Sequence, residues 1–245
     1  MFFAALGLLL LCPGLCYCHY MTTTGTYAFN PPLGELVLNA YARIGVRQTS
    51  ILASHMADAR IEANLLQAEW NNKQVNLWTV DLIEEALVQG VGEIDVDDNT
   101  VMILDAYISV EDIDTMIFPI SRTEWAALPD KLQEGRPTQF WFDRLEDSVL
   151  QLWPVPDDNG PYVLKYYRCK LIQDAALRDG ANVQIPQLWL DAFAAGLAYR
   201  LARIYAPQLR ESLKMDYKEA WEVAAAQNTE NVPMFIAPGL SGYFR

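Results

Sequence analysis

Residues 187–206 read QLWLDAFAAGLAYRLARIYA, and this stretch determines the architecture that we expect around it. Its charged side chains are Asp191, Arg200 and Arg203. A helix that is apolar on nearly all sides must be covered by other elements, so the stretch predicts a buried central helix. The run Ala194-Ala195-Gly196 carries almost no side-chain bulk, and it predicts a place where another backbone approaches closely.

A second helix is predicted directly after this stretch. Pro207 interrupts the helical pattern, which then continues to about Gln227. The apolar positions that we expect to face inward are Leu209, Leu213, Tyr217, Trp221 and Ala224. Two long C-terminal helices therefore follow one another with a short break.

Two more helices are predicted near the N-terminus. Asn30 before Pro31 and Pro32 is typical of a helix start, and Gly45 is typical of its end. The apolar stripe between them consists of Leu33, Leu36, Val37, Ala40, Tyr41 and Ile44. Ser54 predicts the start of an amphipathic helix, whose apolar residues recur every three or four positions. They are Met56, Ala59, Ala63, Leu66 and Trp70.

The middle of the chain has a strand pattern instead. The β-branched and aromatic runs are LWTVDL, EALVQ, VMILDAYI, DTMIFPI, TQFWFD, VLQLW and YVLKYYR, separated by turn signals. The segment from Trp153 to Tyr162 is interpreted as a hairpin. Ser121 with Glu124 forms a capping-box sequence that predicts a short helix through Leu128. These runs favour an antiparallel sandwich or small barrel.

The resulting fold class is α+β, with a helical bundle formed by both chain ends, an inserted antiparallel β-domain and an extended C-terminal arm. The predicted segments are 1–20 (a signal-like or mis-started extension), 21–75 (N-terminal bundle helices), 76–186 (β-rich insertion), 187–227 (C-terminal bundle helices) and 228–245 (docking arm).

The last segment is apolar although it has neither helical nor strand period. Pro233, Pro238, Gly239 and Gly242 disfavour a helix, whereas disordered chain ends are normally polar. The segment must therefore pack back on its own domain or dock into a partner, and the residues alone leave both open.

The first twenty residues, MFFAALGLLLLCPGLCYCHY, resemble a secretory signal but lack its basic n-region and a small-x-small cleavage site. The alternative is an upstream extension, with translation starting at Met21. We expect the extension to be absent from, or irrelevant to, the working protein.

The composition argues against a protein that recognises nucleic-acid sequences and against a metalloenzyme. The chain of 245 residues has 18 Lys and Arg against 31 Asp and Glu, a formal net charge of −13. Such a surface repels phosphates, although it does not forbid a protein that surrounds DNA without gripping it. Beyond residue 20 only His55 and Cys169 remain as nitrogen or sulfur ligands, too few for a usual zinc site.

Catalytic patterns are also poor. His55 follows Ser54, but sequence neighbours do not converge as a triad requires, so we interpret His55 as a surface residue of a first helical turn. Cys169 at the end of a strand is interpreted as a small core residue. Carboxylate pairs could serve a glycosidase, and the candidates are Glu84, Glu85, Glu93, Asp95, Glu111, Asp112 and Asp114. Solvated charge is the simpler interpretation, so no catalytic residue, metal or cofactor is predicted.

Seven segments, in order, resemble the head-to-tail adaptor proteins of short-tailed bacteriophages, also called tail tubular protein A. They are TGTYAFNPPLGELVLNAYARIGVR (24–47), HMADARIEANLLQAEWNNKQVNLW (55–78), PISRTEWAALPDK (119–131), GRPTQFWFDR (135–144), LQLWPVPDD (150–158), IPQLWLDAFAAGLAYRLARIYAP (185–207) and MFIAPGLSGYFR (234–245). The resemblance covers about 21–245 and lies in the order and spacing of the segments.

This resemblance implies a structural virion protein at the head–tail junction, assembled in the host cytoplasm and not bound to a membrane. It implies a ring, usually of twelve copies, that joins the portal protein to the tail nozzle protein. Genomic DNA would pass through its channel without sequence-specific contact. The arm would reach the portal through Pro233, Met234, Phe235, Ile236, Pro238, Leu240, Tyr243, Phe244 and Arg245. The alternatives are a secreted or envelope-associated bacterial binding protein and, less favoured, a glycan-cleaving enzyme that uses paired carboxylates.

Overall fold

A computed structural model describes residues 25–73, 76–144, 147–177 and 180–229. Within them the chain forms five α-helices and a curled seven-stranded sheet, so the predicted α+β class is confirmed. The helices are α1 (Leu33–Arg43), α2 (Ala53–Lys73), α3 (Arg122–Ala127), α4 (Leu190–Tyr205) and α5 (Arg210–Ala225). The strands are β1 (Val80–Ala86), β2 (Glu93–Asp95), β3 (Thr100–Val110), β4 (Ile113–Pro119), β5 (Gln139–Asp143), β6 (Val149–Trp153) and β7 (Val163–Lys170).

Helix α4 lies at the centre of a helical layer, where it contacts α1, α2 and α5. Most of its side chains are buried, as the scarcity of charge in 187–206 predicts. A Cβ on Gly196 would lie 2.9 Å from side-chain atoms of Leu66 and Tyr217, so side chains rather than a backbone occupy the space. Leu209, predicted to face inward, is 37% exposed because it lies in the 3₁₀ turn Pro207–Leu209 before α5.

The predicted helix starts are shifted for identifiable reasons. α1 begins at Leu33 rather than beside Asn30, because Pro32 is still extended and acts as the N-cap. α2 begins before Ser54, and the His55 ring accepts a hydrogen bond from the Leu52 N–H through Nδ1 at 3.2 Å. The side chain of His55, and not that of the predicted cap Ser54, therefore satisfies a backbone N–H at the start of α2.

Two predicted helix signals are confirmed. Gly45 adopts φ +82° and donates its N–H to Ala42, which ends α1 in a conformation that suits glycine. Ser121 and Glu124 form the reciprocal capping box at the start of α3, with N···O distances of 2.7 and 3.2 Å.

The strand order across the sheet is β1-β7-β3-β4-β5-β6-β2. Neighbouring strands are antiparallel except for β4 and β5, which pair in parallel through Phe118 with Gln139 and Pro119 with Phe140. The prediction of a wholly antiparallel domain is therefore wrong at one pair. A parallel pair requires a long connection, and the segment that contains α3 provides it.

The predicted hairpin between Trp153 and Tyr162 is also wrong. β6 pairs with β5 and β2, whereas β7 pairs with β1 and β3. The connecting backbone is satisfied elsewhere, since Pro156 accepts from the Gly90 N–H at 2.9 Å and Val155 exchanges hydrogen bonds with the 133–135 segment. The segment thus crosses from one half of the curled sheet to the other.

The interior contains two clusters of buried side chains. One fills the curled sheet, and the other fills the helical layer, including Ile172, Ala175, Val183 and Ile185 from the segment that follows β7. Near the end of β7, Cys169 Sγ lies 3.2 Å from Thr79 Oγ1. Cys169 is 4% exposed, which confirms its interpretation as a small core residue.

Candidate interaction surfaces

The nine predicted docking residues of the arm, Pro233, Met234, Phe235, Ile236, Pro238, Leu240, Tyr243, Phe244 and Arg245, lie outside the described residues. The 1–20 extension lies outside them as well. The structure does fix the end of α5, because Asn228 Oδ1 accepts a hydrogen bond from the Leu77 N–H at 3.0 Å. The arm therefore begins near the junction between the helical layer and the sheet.

The net charge is distributed unevenly along the chain. Residues 76–186, which include all seven described strands, contain 21 Asp and Glu but only 8 Lys and Arg. The rest of the chain contains 10 of each sign. The entire formal charge of −13 therefore belongs to the β-rich region, and the remainder is neutral.

The seven candidate carboxylates do not form one site. Glu93 accepts from Gln151 at 2.8 Å, and Asp114 pairs with Lys165 at 3.1 Å. Glu84 lies on the outer face of the sheet opposite Lys165. Glu111 and Asp112 form the β3–β4 turn.

Glu85 and Asp95 are the one pair that the curled sheet brings into electrostatic contact, from its two edge strands. Partial burial and the charge of Asp95 raise the pKa of Glu85. Neither residue lines the pockets described below. The pair therefore resembles an acid/base couple in charge only.

The prediction that His55 is a simple surface residue is wrong. Its ring is half-buried and stacks on Tyr205 at a centroid distance of 4.7 Å, with Tyr41 edge-on at 5.7 Å. The Tyr205 hydroxyl donates to Asp58. Burial is the main cause that raises the pKa of Tyr41, and this contact set joins α1, α2 and α4. Its role is therefore to pack helices.

The outer face of the sheet carries exposed apolar side chains beside the charged groups of Glu84, Asp114 and Lys165. Leu82 lies opposite Tyr167 and Met116 lies opposite Tyr107, and Leu82, Tyr167 and Met116 are 39–45% exposed. Phe118, farther along β4, is 61% exposed. Contiguous exposed apolar side chains on a soluble domain mark an interaction site.

The β3–β4 hairpin forms the middle of this sheet. Residues 113–117 of β4 pair with β3, and no other strand of the described chain covers their second edge. At the turn, Glu111 and Asp112 adopt φ +49° and +64°, and Ile113 beside them is 67% exposed. A free strand edge with an acidic, partly apolar tip is available for contact with another chain.

The helical layer carries a surface of the opposite charge, which we call the lysine pocket. It has a volume of about 280 Å³, and its lining consists of Glu69, Lys73, Tyr199, Lys214, Tyr217, Lys218 and Trp221. Three of the six lysines in the chain thus meet around three aromatic rings. The Lys73 ammonium lies 4.4 Å from the centre of the Trp221 ring, a cation–π contact.

Two residues that line the lysine pocket, Glu69 and Lys73, belong to a network of ion pairs. Arg200 contacts Glu69 at 2.6 Å and Glu62 at 3.3 Å, and Lys73 contacts Glu69 at 2.6 Å. The Tyr217 hydroxyl accepts from Trp70 Nε1 at 3.0 Å. Burial opposes ionisation of Glu69, but the hydrogen bonds from Lys73 and Arg200 hold its pKa below the ordinary value.

Sequence reasoning missed the lysine pocket. It placed Tyr217 and Trp221 on the inner face of α5 but assigned no role to Lys214 and Lys218. The four positions are spaced i, i+3, i+4 and i+7, so they share one helix face and the signal was available.

Residues 25–73, 76–144, 147–177 and 180–229 contain no group of three or more His, Cys, Asp or Glu that could hold a metal ion. No helix in the same residues is long and apolar enough to cross a bilayer.

Comparison with known protein families identifies the family to which this chain belongs. The family described as SU10 adaptor protein matches residues 21–234, which include both the helical layer and the sheet. No curated protein matches the chain. A match over this length covers far more than half of the 245 residues. The chain belongs to the SU10 adaptor protein family and is a phage structural adaptor protein.

Proposed function

We propose that this protein is the head-to-tail adaptor of a short-tailed phage. Twelve copies form a ring at the head–tail junction, bind the portal protein on one side and the tail nozzle protein on the other, and enclose part of the DNA channel. The observation that carries the proposal is the adaptor-family match across residues 21–234. The ring assembles in the host cytoplasm and has neither a catalytic nor a cofactor site.

The exposed surfaces support an assembly role. The exposed apolar side chains on the outer sheet face and the unpaired edge of β4 are both surfaces of the kind that bind other proteins. Helices α1, α2 and α5 all contact α4, and this packed layer supports a role as a ring subunit. These features support binding between proteins rather than binding of a small molecule.

The charge distribution supports the channel. A surface lined by negative charge repels DNA phosphates, so DNA slides past it without being held. The region 76–186 carries the whole net charge of −13, so we place the β-rich domains around the channel.

The arm, residues 228–245, is proposed to dock on the portal protein. Its anchors are Pro233, Met234, Phe235, Ile236, Pro238, Leu240, Tyr243, Phe244 and Arg245. An extended apolar segment that leaves a folded domain is a common peptide docking mode. The sixteen residues after Thr229 can span about 50 Å when extended, enough to reach a neighbouring protein.

The first experiment measures the native mass of the full chain, alone and mixed with the portal protein of the same genome. We expect a discrete complex with one adaptor copy per portal subunit. Absence of any complex with portal rings would contradict the proposal.

The second experiment replaces Phe235 and Ile236 by serine. We expect the double variant to lose portal binding at least tenfold, because the two side chains are proposed anchors in apolar pockets. Leu188→Ser with Met215→Ser is the matched control, since both of these side chains are more than 70% exposed on the helical layer. Equal binding by the two double variants would contradict the role of the arm.

A further inference from the structure

The lysine pocket has the chemistry to receive an acidic group attached to an apolar side chain. Lys73 is matched by Glu69, and Lys218 contacts only the exposed Glu222 at 3.7 Å. Lys214 has no ion-pair partner among the described residues. Exposed ion pairs contribute little free energy, so Lys214 and Lys218 are available to a ligand. The aromatic walls favour an aliphatic group between them.

The tip of the β3–β4 hairpin has the complementary chemistry. It presents two exposed carboxylates, Glu111 and Asp112, directly before the exposed Ile113. Two-residue turns with positive φ at both positions normally use Asn-Gly or Asp-Gly. Here Glu111 and Asp112 occupy those positions at a cost in backbone energy. An interaction of these two carboxylates with another chain explains why acidic residues occupy two turn positions with positive φ.

The tip lies at the end of β3 that is farther from the helical layer of its own chain. β3 begins at the helical layer, where Thr100 pairs with Lys170 and Asn99 accepts from the Leu171 N–H. It ends ten residues later at Val110, so the tip lies about 30 Å from that junction. We therefore expect a contact between the tip and the lysine pocket to join two copies.

We infer that the hairpin tip of one copy docks into the lysine pocket of the next copy. Ile113 enters between the aromatic rings, and Glu111 and Asp112 pair with Lys214 and Lys218. The contact joins two different surfaces, so repeating it generates a ring when the rotation closes. This inference rests on the ring proposed above and names the surfaces that build it. It also places acidic residues of the β-rich region against positive charge on a neighbour.

Charge reversal on each surface tests the contact in the full chain. Glu111→Lys with Asp112→Lys changes the tip, and Lys214→Glu with Lys218→Glu changes the lysine pocket. We expect each double variant to raise the concentration needed for half-assembly at least tenfold in sedimentation and native mass measurements. The charge-matched controls are Asp98→Lys with Asp158→Lys for the tip and Arg122→Glu with Lys131→Glu for the lysine pocket, and we expect these to assemble normally.

Combining the variants gives a sharper result. A chain with all four reversals should assemble again, because the charges are complementary once more. A mixture of the tip variant and the lysine-pocket variant should also assemble, although each variant alone does not. The two variants alternate in such a ring, because the reversed tip meets the reversed pocket and the intact tip meets the intact pocket.

Carbodiimide crosslinking tests the contact without any substitution. Isotopically labelled and unlabelled wild-type chains are mixed at assembling concentration, with and without the portal protein. We expect crosslinks between copies that join Glu111 or Asp112 to Lys214 or Lys218. Rings that contain none of these crosslinks would overturn the inference.

The remaining outcomes separate this inference from the proposed function. Normal rings from both double variants, or no recovery with four reversals, would overturn the contact but leave the adaptor ring standing. A wild-type chain that stays monomeric at every concentration, even with portal protein present, would overturn the contact and the ring together. Portal binding through the arm is measured separately by the Phe235 and Ile236 variant.

Discussion

The helical layer and the curled sheet each have a buried core, but the helical layer is electrically neutral and the sheet region is acidic. The helical segments contain equal numbers of acidic and basic residues, and their charges are organised into networks such as the one around Arg200. The β-rich region carries all 13 excess negative charges, and many of its acids are exposed. Burial supplies most of the stability in both regions, so charge is free to vary with function.

Because of this contrast, the two regions suit different roles in an assembly. A neutral layer can pack against copies of itself and against partners without long-range repulsion. An acidic sheet repels phosphates and also repels its neighbours in a ring, so it needs compensating contacts. The lysine pocket on the neutral layer provides such a contact in our proposal.

The largest expected effect comes from opening the core of the helical layer. Trp70 is fully buried, contacts Trp189, Phe193 and Trp221, and donates a hydrogen bond to Tyr217. We expect Trp70→Ala to lower the free energy of unfolding by about 4 kcal/mol, because the substitution creates a cavity and removes the donor. Urea unfolding followed by circular dichroism measures this loss.

Leu150→Ala makes the equivalent cavity in the sheet. Leu150 is fully buried between its neighbours in β5 and β2, and we expect a loss of about 3 kcal/mol. Both variants should unfold in a single transition, because Ile172 and Ile185 pack the segment after the sheet into the helical core. Two separate transitions in either variant would show that the two regions fold independently.

A smaller effect is expected at the close contact on α4. Alanine at position 196 gains about 1 kcal/mol in helix propensity over glycine. Its Cβ would also lie 2.9 Å from Leu66 and Tyr217, and relieving such overpacking costs about 1–3 kcal/mol. We expect Gly196→Ala to be destabilising by about 1 kcal/mol in the same urea assay. Ala198→Gly, at another buried position of α4, is the control for propensity, and a stabilised Gly196→Ala variant would show that Leu66 and Tyr217 yield easily.

The sequence predicts these cores better than it predicts the surfaces. The helical stripes of α1, α2 and α5 follow from periodicity, because one side of each helix is buried and the other is not. The hairpin between Trp153 and Tyr162 was wrong because turn residues report local bending and not which strands pair. The parallel β4–β5 pair was missed for the same reason, since pairing depends on distant backbone partners.

Only some features of the candidate surfaces could be predicted from the sequence. The i, i+3, i+4 and i+7 spacing of Lys214, Tyr217, Lys218 and Trp221 lies within one helix, but the contribution of Lys73 and Tyr199 requires the packing of α2 and α4 against α5. The uneven distribution of charge can be counted directly in the sequence. The proximity of Glu85 to Asp95 cannot, because it arises from curling of the sheet.

The last prediction compares one glutamate from each region by its pH dependence. The pKa of Glu69 is held below its unfolded value of about 4.3, so its ionised form stabilises the folded state. That contribution is present above pH 4.3 or so and is lost as the pH falls through the folded pKa. The pKa of Glu85 is raised by burial and by Asp95, so its contribution has the opposite sign and is lost as the pH rises.

Glu69→Gln and Glu85→Gln therefore shift stability in opposite directions at neutral pH. We expect Glu69→Gln to be less stable than the wild type at pH 7 and the deficit to shrink toward pH 3. We expect Glu85→Gln to be at least as stable as the wild type at pH 7 and to lose that advantage as the wild-type carboxyl becomes protonated. Urea unfolding at pH 3, 5 and 7 measures both differences. If both variants followed the same pH trend, the electrostatic contrast between these two sites would be wrong, and their shared response would reflect only the total charge of the chain.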